Sequence, residues 1–384
     1  MTKIIIATGI FPPDIGGPAT YCEKLANDLV SQDISVKVIC YSDVKEYGRY
    51  NFPVVRISRN YPKVIRHLIY LWKLLVISQD ADVIYAQNPV SAGLPALLAS
   101  KILRKKMVLK LVSDGAWEYY VTQVKNYDDP EKFQHQTYDF KTEFLRKIQK
   151  MSAKGAGKII VPSLYVKNII SQWGIASDKI AVVYNAPKQM ASLNLSKEEA
   201  KEKIGVKGDI ILSVGRLAPE KGFDTIISSM PELLIKNPGF KLLIVGEGEK
   251  RKDLEVKIQE LNLGNNVEMT GQVPSQEIPL YLKAADLFVL DSQGEGLAHV
   301  ILEAMQIGTP IIASRHGGNI ELIEDSFNGF LVEYNNQGEL TEAILELWQD
   351  KELQQKFIKN SYEKIKGFNW EDLIAKTLKI LKTA

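Results

Sequence analysis

Cysteine is nearly absent. Only Cys22 and Cys40 occur among 384 residues, which excludes a disulfide framework and points to a reducing compartment. No run of about 18 apolar residues occurs, so no membrane-spanning segment is expected. The opening stretch MTKIIIATGIFPPD has no small-residue cleavage site, and its apolar run ends on Pro12, Pro13 and Asp14. It reads as a first strand rather than a secretory signal. Metal-ligand spacing is missing as well. Asp80-Ala81-Asp82 is a D-x-D, but it precedes the strand 83–86 instead of following one. It reads as a helix-to-strand turn, and no metal site is expected. The chain also lacks a net charge of one sign, with 48 Lys and Arg against 46 Asp and Glu.

That balance hides an asymmetry. Residues 1–190 hold 26 basic and 16 acidic residues, whereas residues 191–384 hold 22 and 30. The first half is therefore suited to an anionic acceptor or an anionic membrane face, although a lysine-rich solvated surface has the same composition. At 45% hydrophobic and 24% charged, the chain has an ordinary globular composition. Its length predicts two domains of about 150–200 residues each.

Strand and helix signals alternate along both halves. The first strand, 3–8, is followed by Gly16 and Gly17 just before a helix over 19–31, where missing side chains let backbone approach a ligand. Residues 62–78, PKVIRHLIYLWKLLVIS, form an amphipathic helix that fits either a sheet or a membrane surface, and packing on a sheet is the expected case. The strand 107–112 ends on Ser113-Asp114-Gly115, which places Asp114 at the carboxyl end of a strand, as a helix cap or a functional carboxylate. Residues 119–150 are polar, aromatic and charged; acceptor recognition and a mobile surface segment both fit them. In the second half, the strand 209–214 leads into Gly215-Arg216-Leu217-Ala218-Pro219-Glu220-Lys221-Gly222. Arg216 and Lys221 there are suited to neutralising a diphosphate.

The richest stretch is 287–321. A buried strand, 287–290, leads to Gly294-Glu295-Gly296, then a helix over 297–306, a stop at Gly308-Thr309-Pro310 and a strand at 311–314. The amides of Leu297, Ala298, His299 and Val300 would open that helix and, with its dipole, seat a phosphate or diphosphate. Glu303 lies two turns beyond Glu295, a rise of roughly 12 Å. That is too far for the carboxylate pair of a retaining glycosidase, about 5 Å apart. It suits two carboxylates gripping opposite ends of one long ligand.

The frame EGLAHVILEAM, followed by GTPIIAS and HGGNIE, together with GRLAPEKG, resembles glycosyltransferase family 4, whose members retain the anomeric configuration and have the GT-B fold. The resemblance covers nearly the whole chain. It implies that Glu295 contacts the donor sugar, Glu303 the nucleotide ribose, and Arg216, Lys221 and the 297–300 amides the diphosphate. It places the Gly16-Gly17 loop on the donor phosphates and Asp114 on sugar hydroxyls or the acceptor nucleophile. Gly246 of Gly246-Glu247-Gly248, a motif without a third glycine, and Val273 are assigned to the nucleotide base.

The expected fold class is α/β, with two Rossmann-like domains facing across a cleft: residues 1–187 on the acceptor side, 188–367 binding the nucleotide sugar, and a terminal helix over 368–384 crossing back. The expected activity is metal-independent, retaining transfer of a hexosyl group from a nucleotide diphosphate sugar as co-substrate, without a further cofactor. The acceptor is a glycan, lipid-linked sugar or small molecule, in cell-envelope polysaccharide or glycoconjugate synthesis. The expected location is cytoplasmic, with peripheral contact to an anionic membrane and none with nucleic acid. A sugar-nucleotide epimerase or phosphorylase on the same frame, and a non-catalytic nucleotide-sugar-binding protein, are the competing readings.

Overall fold

Short apolar runs such as KIIIA and LFVL bury both faces, and this is the pattern of central parallel strands rather than of half-exposed antiparallel ones. The computed structural model, which describes residues 2–14, 16–44, 48–124, 127–187 and 194–384, arranges them in two parallel sheets. The chain divides into two compact units. One comprises Met1–Tyr120, Pro130–Tyr184 and Glu371–Ala384; the other comprises Val121–Asp129 and Asn185–Trp370.

The first unit holds β1 (Lys3–Ala7), β2 (Ser35–Tyr41), β3 (Val54–Ile57), β4 (Val83–Ala86), β5 (Lys106–Lys110), β6 (Lys158–Val161) and β7 (Ile180–Val182), in the order β3-β2-β1-β4-β5-β6-β7. One face is lined by alternate strand residues, including Ile5, Ala7, Ile39, Ile84, Leu109 and Ile159. The helices Lys63–Ile77, Gly93–Leu103, Phe140–Gly155 and Leu164–Ser171 cover that face with Tyr70, Leu74, Ala96, Ala153 and Val166. The D-x-D is tied down structurally: Lys3 and Lys37 pair with Asp80 at 3.2 and 2.9 Å, and Asp82 accepts the Lys3 amide at 2.8 Å.

The second unit holds β8 (Asp209–Val214), β9 (Phe240–Val245), β10 (Val267–Gly271), β11 (Leu287–Leu290), β12 (Ile311–Ser314) and β13 (Phe330–Val332), in the order β10-β9-β8-β11-β12-β13. Its lead-in helix, Lys197–Ile204, starts with a capping box between Ser196 and Glu199 and stops at Gly205. β13 has only three residues, too few to carry a periodic signal in the sequence. None of the helices in the described residues is long and apolar enough to cross a membrane.

Candidate functional site

In the second sheet β8 and β11 are neighbours, although β9 and β10 extend from β8 to one side and β12 and β13 from β11 to the other. Loops leaving such a switch point part company and leave a crevice at the carboxyl ends of the strands. The two loops here are 215–222 and 291–298, which hold Arg216, Lys221, Glu295, Leu297 and Ala298 of the residues singled out from sequence.

These loops are locked together by backbone. Gly222 has φ +60°, and a Cβ there would stand 2.0 Å from the Asp291 carbonyl oxygen, so only glycine fits the turn. The Gln293 amide donates to the Glu220 carbonyl at 2.9 Å. Lys221 is thereby aimed at Glu295: its Nζ lies 2.5 Å from Glu295 Oε1, and the Ser292 hydroxyl reaches the same oxygen at 3.3 Å. Burial pushes the Glu295 carboxyl upward, but the Lys221 charge and hydrogen bond, with Ser292, outweigh it and hold Glu295 below its ordinary range. Both side chains are mostly buried, with 15% and 19% exposure. Arg216 stays half exposed, its guanidinium held by Glu220 at 3.0 Å and near Glu249 at 3.7 Å.

The helix predicted over 297–306 begins two residues later, as His299–Ile307, with Ala298 as an extended N-cap at φ −71° and ψ 106°. The cause is a neighbouring turn. The Gly318 amide donates to the Glu295 carbonyl at 2.7 Å, and a Cβ at Gly318 would stand 2.3 Å from the Gly296 carbonyl oxygen. Residues 295 and 296 are held in that contact, so the helix mouth is formed by the amides of His299 and Val300, with Leu297 and Ala298 buried ahead of it. Glu303 is buried in the next turn between Leu302 and Ala304, not solvated.

The remaining assignments fall apart from this group. A Cβ at Gly246 would stand 1.8 Å from the Gly215 carbonyl oxygen, and the Leu217 amide donates to Glu247 at 2.9 Å, so the Gly246–Gly248 loop braces the 215–222 loop. Val273 lies half-buried beyond β10. In the first unit, Gly16 caps the helix Gly17–Ser31 at φ +156°, and among the described residues outside its own helix and chain neighbours nothing stands within 4 Å of where a Cβ of Gly17 would lie. Asp114, after β5, accepts the Ala116 and Trp117 amides at 3.0 and 3.2 Å and the side-chain amides of Gln149 and Gln134 at 2.6 and 2.9 Å. Of its two sequence readings, the helix cap is the one the geometry displays.

Three contributors were passed over in the sequence. Glu220 sits inside the GRLAPEKG frame; it is buried, holds Arg216 through Oε1, and has no hydrogen-bond partner for Oε2 among the described residues. Asp291 is buried at the end of β11, accepts the Asn335 amide at 3.3 Å, and is pushed up to about 7 by burial against the opposing effect of Asn335 and Thr225. Tyr334 places its hydroxyl 2.7 Å from that of Tyr127. That contact ties part of 121–129 to the second unit, away from the first domain in which the sequence reading places it.

A mostly buried ammonium–carboxylate pair, a half-exposed guanidinium and a helix mouth at one switch point are the equipment for an anionic ligand carrying hydroxyls. The sequence profile described as Glycosyl transferases group 1 matches residues 196–364, and that of Glycosyltransferase Family 4 matches residues 15–186. The chain is 26% identical to an uncharacterised glycosyltransferase of Methanocaldococcus jannaschii, over 98% of this chain and 97% of that one. It is 25% identical to the alpha-monoglucosyldiacylglycerol synthase of Streptococcus pneumoniae, over 90% of this chain and 78% of the relative. Among solved structures, Anabaena HepE in complex with UDP and glucose superposes with a TM-score of 0.82 at 21% identity, over 100% of both chains.

Proposed function

This chain belongs to glycosyltransferase family 4 and has the GT-B fold, and we propose that it is a retaining, metal-independent hexosyltransferase using a nucleoside diphosphate sugar. The observation that carries this is the Lys221–Glu295 pair at the β8/β11 switch point, 2.5 Å between charged atoms beside the 299–307 helix mouth.

In this reading the donor diphosphate lies against Arg216, Lys221 and the amides of His299 and Val300. Glu303 accepts ribose hydroxyls and Glu295 accepts sugar hydroxyls while steadying the Lys221 ammonium. The family resemblance assigns Gly246 and Val273 to the base and Gly16 and Gly17 to the phosphates, and Asp114 positions the start of its helix. As the bond from the sugar C1 to the diphosphate oxygen lengthens, charge grows on the leaving oxygens, and preorganised cations and amides bind it more tightly than in the ground state. The acceptor oxygen bonds to C1 on the same face, and its proton passes to the departing phosphate. Nucleoside diphosphate is released, and the α-configuration is kept.

The similarity to an alpha-monoglucosyldiacylglycerol synthase supports a lipid acceptor; in our reading the product is an envelope glycoconjugate made at the cytoplasmic face of a membrane. Thermal-shift screening with UDP-, GDP- and ADP-sugars tests the donor reading. A true donor at 100 times its Kd stabilises the fold by about 2.7 kcal/mol. Turnover with that donor should fall by about 10²- to 10³-fold in Lys221→Ala and in Glu295→Ala, with circular dichroism unchanged. Unaltered turnover in both variants would overturn the assignment.

A further inference from the structure

The 63–77 helix packs one side on the sheet: Tyr70 and Leu74 are buried, and Ile69, Leu71, Leu75 and Ile77 pack partly buried against the same core. Ile65, Leu68, Trp72 and Val76 recur every three or four residues, so they share one face, and that face is exposed. The sequence expectation that the helix simply packs on the sheet therefore accounts for its inner side alone.

Its neighbours repeat the pattern. The 93–103 helix packs beside the 63–77 helix, and the 140–155 helix beside the 93–103 helix, all over the same sheet face. Val64, Leu68, Trp72, Ile102, Phe140 and Phe144 are each more than half exposed. Only three other large apolar side chains among the described residues, Leu164, Ile235 and Val256, reach that level. Scattered exposed apolar residues need no explanation, but this concentration on three adjacent helices does.

The charge on this layer has one sign. The 63–77 and 93–103 helices contain no Asp or Glu, and the single Glu of the third, Glu143, is paired with Arg146 at 2.6 Å. Lys63, Lys101, Lys141, Lys147 and Lys154 are exposed among the apolar residues, and Lys73 lies 4.6 Å from the centre of the Trp72 ring. A protein partner of equal size would need a matching acidic and apolar surface. A bilayer of anionic lipid offers both chemistries to any such helix layer at once.

We propose that the outer face of this three-helix layer is a membrane-docking surface that seats the protein on anionic phospholipid. The inference deepens the lipid-acceptor reading by naming the surface, yet it rests on the first unit alone and stands apart from the donor site. Co-flotation of the whole protein with phosphatidylglycerol/phosphatidylcholine vesicles tests it. Binding is expected to the mixed vesicles, to fall in high salt, and to be weak on pure phosphatidylcholine. Leu68→Glu/Trp72→Glu and Phe140→Ser/Phe144→Ser should each lower partitioning by about tenfold or more. Lys101→Glu/Lys147→Glu should lower it on anionic vesicles only. Each variant keeps the nucleotide-sugar thermal shift, which shows that folding and the donor reading are intact. Vesicle binding that ignores these substitutions, equal binding to neutral vesicles, or no vesicle binding with dimers that these substitutions dissolve would each overturn the proposal. A missing thermal shift in the wild type overturns the donor reading and leaves this one standing.

Discussion

Glu295 and Asp291 lie on one loop, 291–298, and carry opposite consequences for pH. Glu295, opposite Lys221, has a lowered carboxyl; its contribution is present above its unfolded pKa and is lost as pH falls through the folded value. Asp291 is the reverse. Burial raises it to about 7 from an unfolded value of 3.8, so the folded state holds its proton longer than the unfolded state does. Its contribution is therefore full below pH 4 and is lost as pH rises through 7. The shift corresponds to on the order of 4 kcal/mol across that window. Asp291→Asn removes the titration. Urea unfolding at pH 5 and pH 8 should show the variant gaining on the wild type as pH rises, by at least about 1 kcal/mol. A parallel pH response of the two proteins would mean that Asp291 ionises freely in the fold. Neither role was legible in the sequence, because an Asp at the end of a strand looks the same whether Thr225 and Asn335 enclose it or water does.

At the scale of elements, the sequence was most informative where one segment contains its own signal. The strands 83–86, 209–214, 287–290 and 311–314 lie where their apolar runs place them. Segments shaped by distant partners were not legible. The 299–307 helix starts late because Gly318 holds Glu295 from another loop, and the Asp114 carboxylate, legible as a cap, is also held by Gln134 and Gln149 from later in the chain. The carboxylate–ammonium contact of Glu295 and Lys221 joins residues 74 positions apart and has no local signature. Gly222 lies at the centre of that long-range fit. Gly222→Val combines a left-handed backbone, costing roughly 1–2 kcal/mol, with a collision against the Asp291 carbonyl. The loops after β8 and β11 should part. The expected outcome is a melting transition lowered by an amount equivalent to about 3 kcal/mol or more, and donor binding weakened by at least about tenfold. Gly205→Ala makes the control: Gly205 is also left-handed, at φ +74°, but a Cβ there meets nothing within 4 Å among the described residues beyond its chain neighbours. It should lower stability by about 1 kcal/mol and leave donor binding unchanged. Equal effects of the two substitutions on binding would remove the reason for glycine at 222.

For the whole molecule, the informative fact is that sequence order and spatial grouping disagree at the end of the chain. The helix Trp370–Thr383 follows the second unit in sequence, yet Glu371–Ala384 is grouped with the first. It buries Leu373, Ile374 and Leu381, with Thr377 beside Tyr21 on the 17–31 helix, whose phenol meets the Tyr85 hydroxyl at 2.9 Å. Burying three such apolar side chains contributes roughly 1.5–3 kcal/mol each. Their loss is large against the 5–15 kcal/mol that holds an ordinary domain together. Removing residues 371–384 should therefore weaken the first unit selectively, although the cut lies directly after the second. Hydrogen exchange should speed up in the 17–31 helix and β1 by about 100-fold or more while β8, β9 and β11 keep their protection. A nucleotide sugar should still protect the 215–222 and 291–303 segments of the shortened protein, because every group assigned to the donor diphosphate and sugar there lies before residue 371. If protection is lost first in the second unit, the terminal helix belongs energetically to its sequence neighbours, and the stability of the first unit must come from its sheet and the layer of helices over the opposite face.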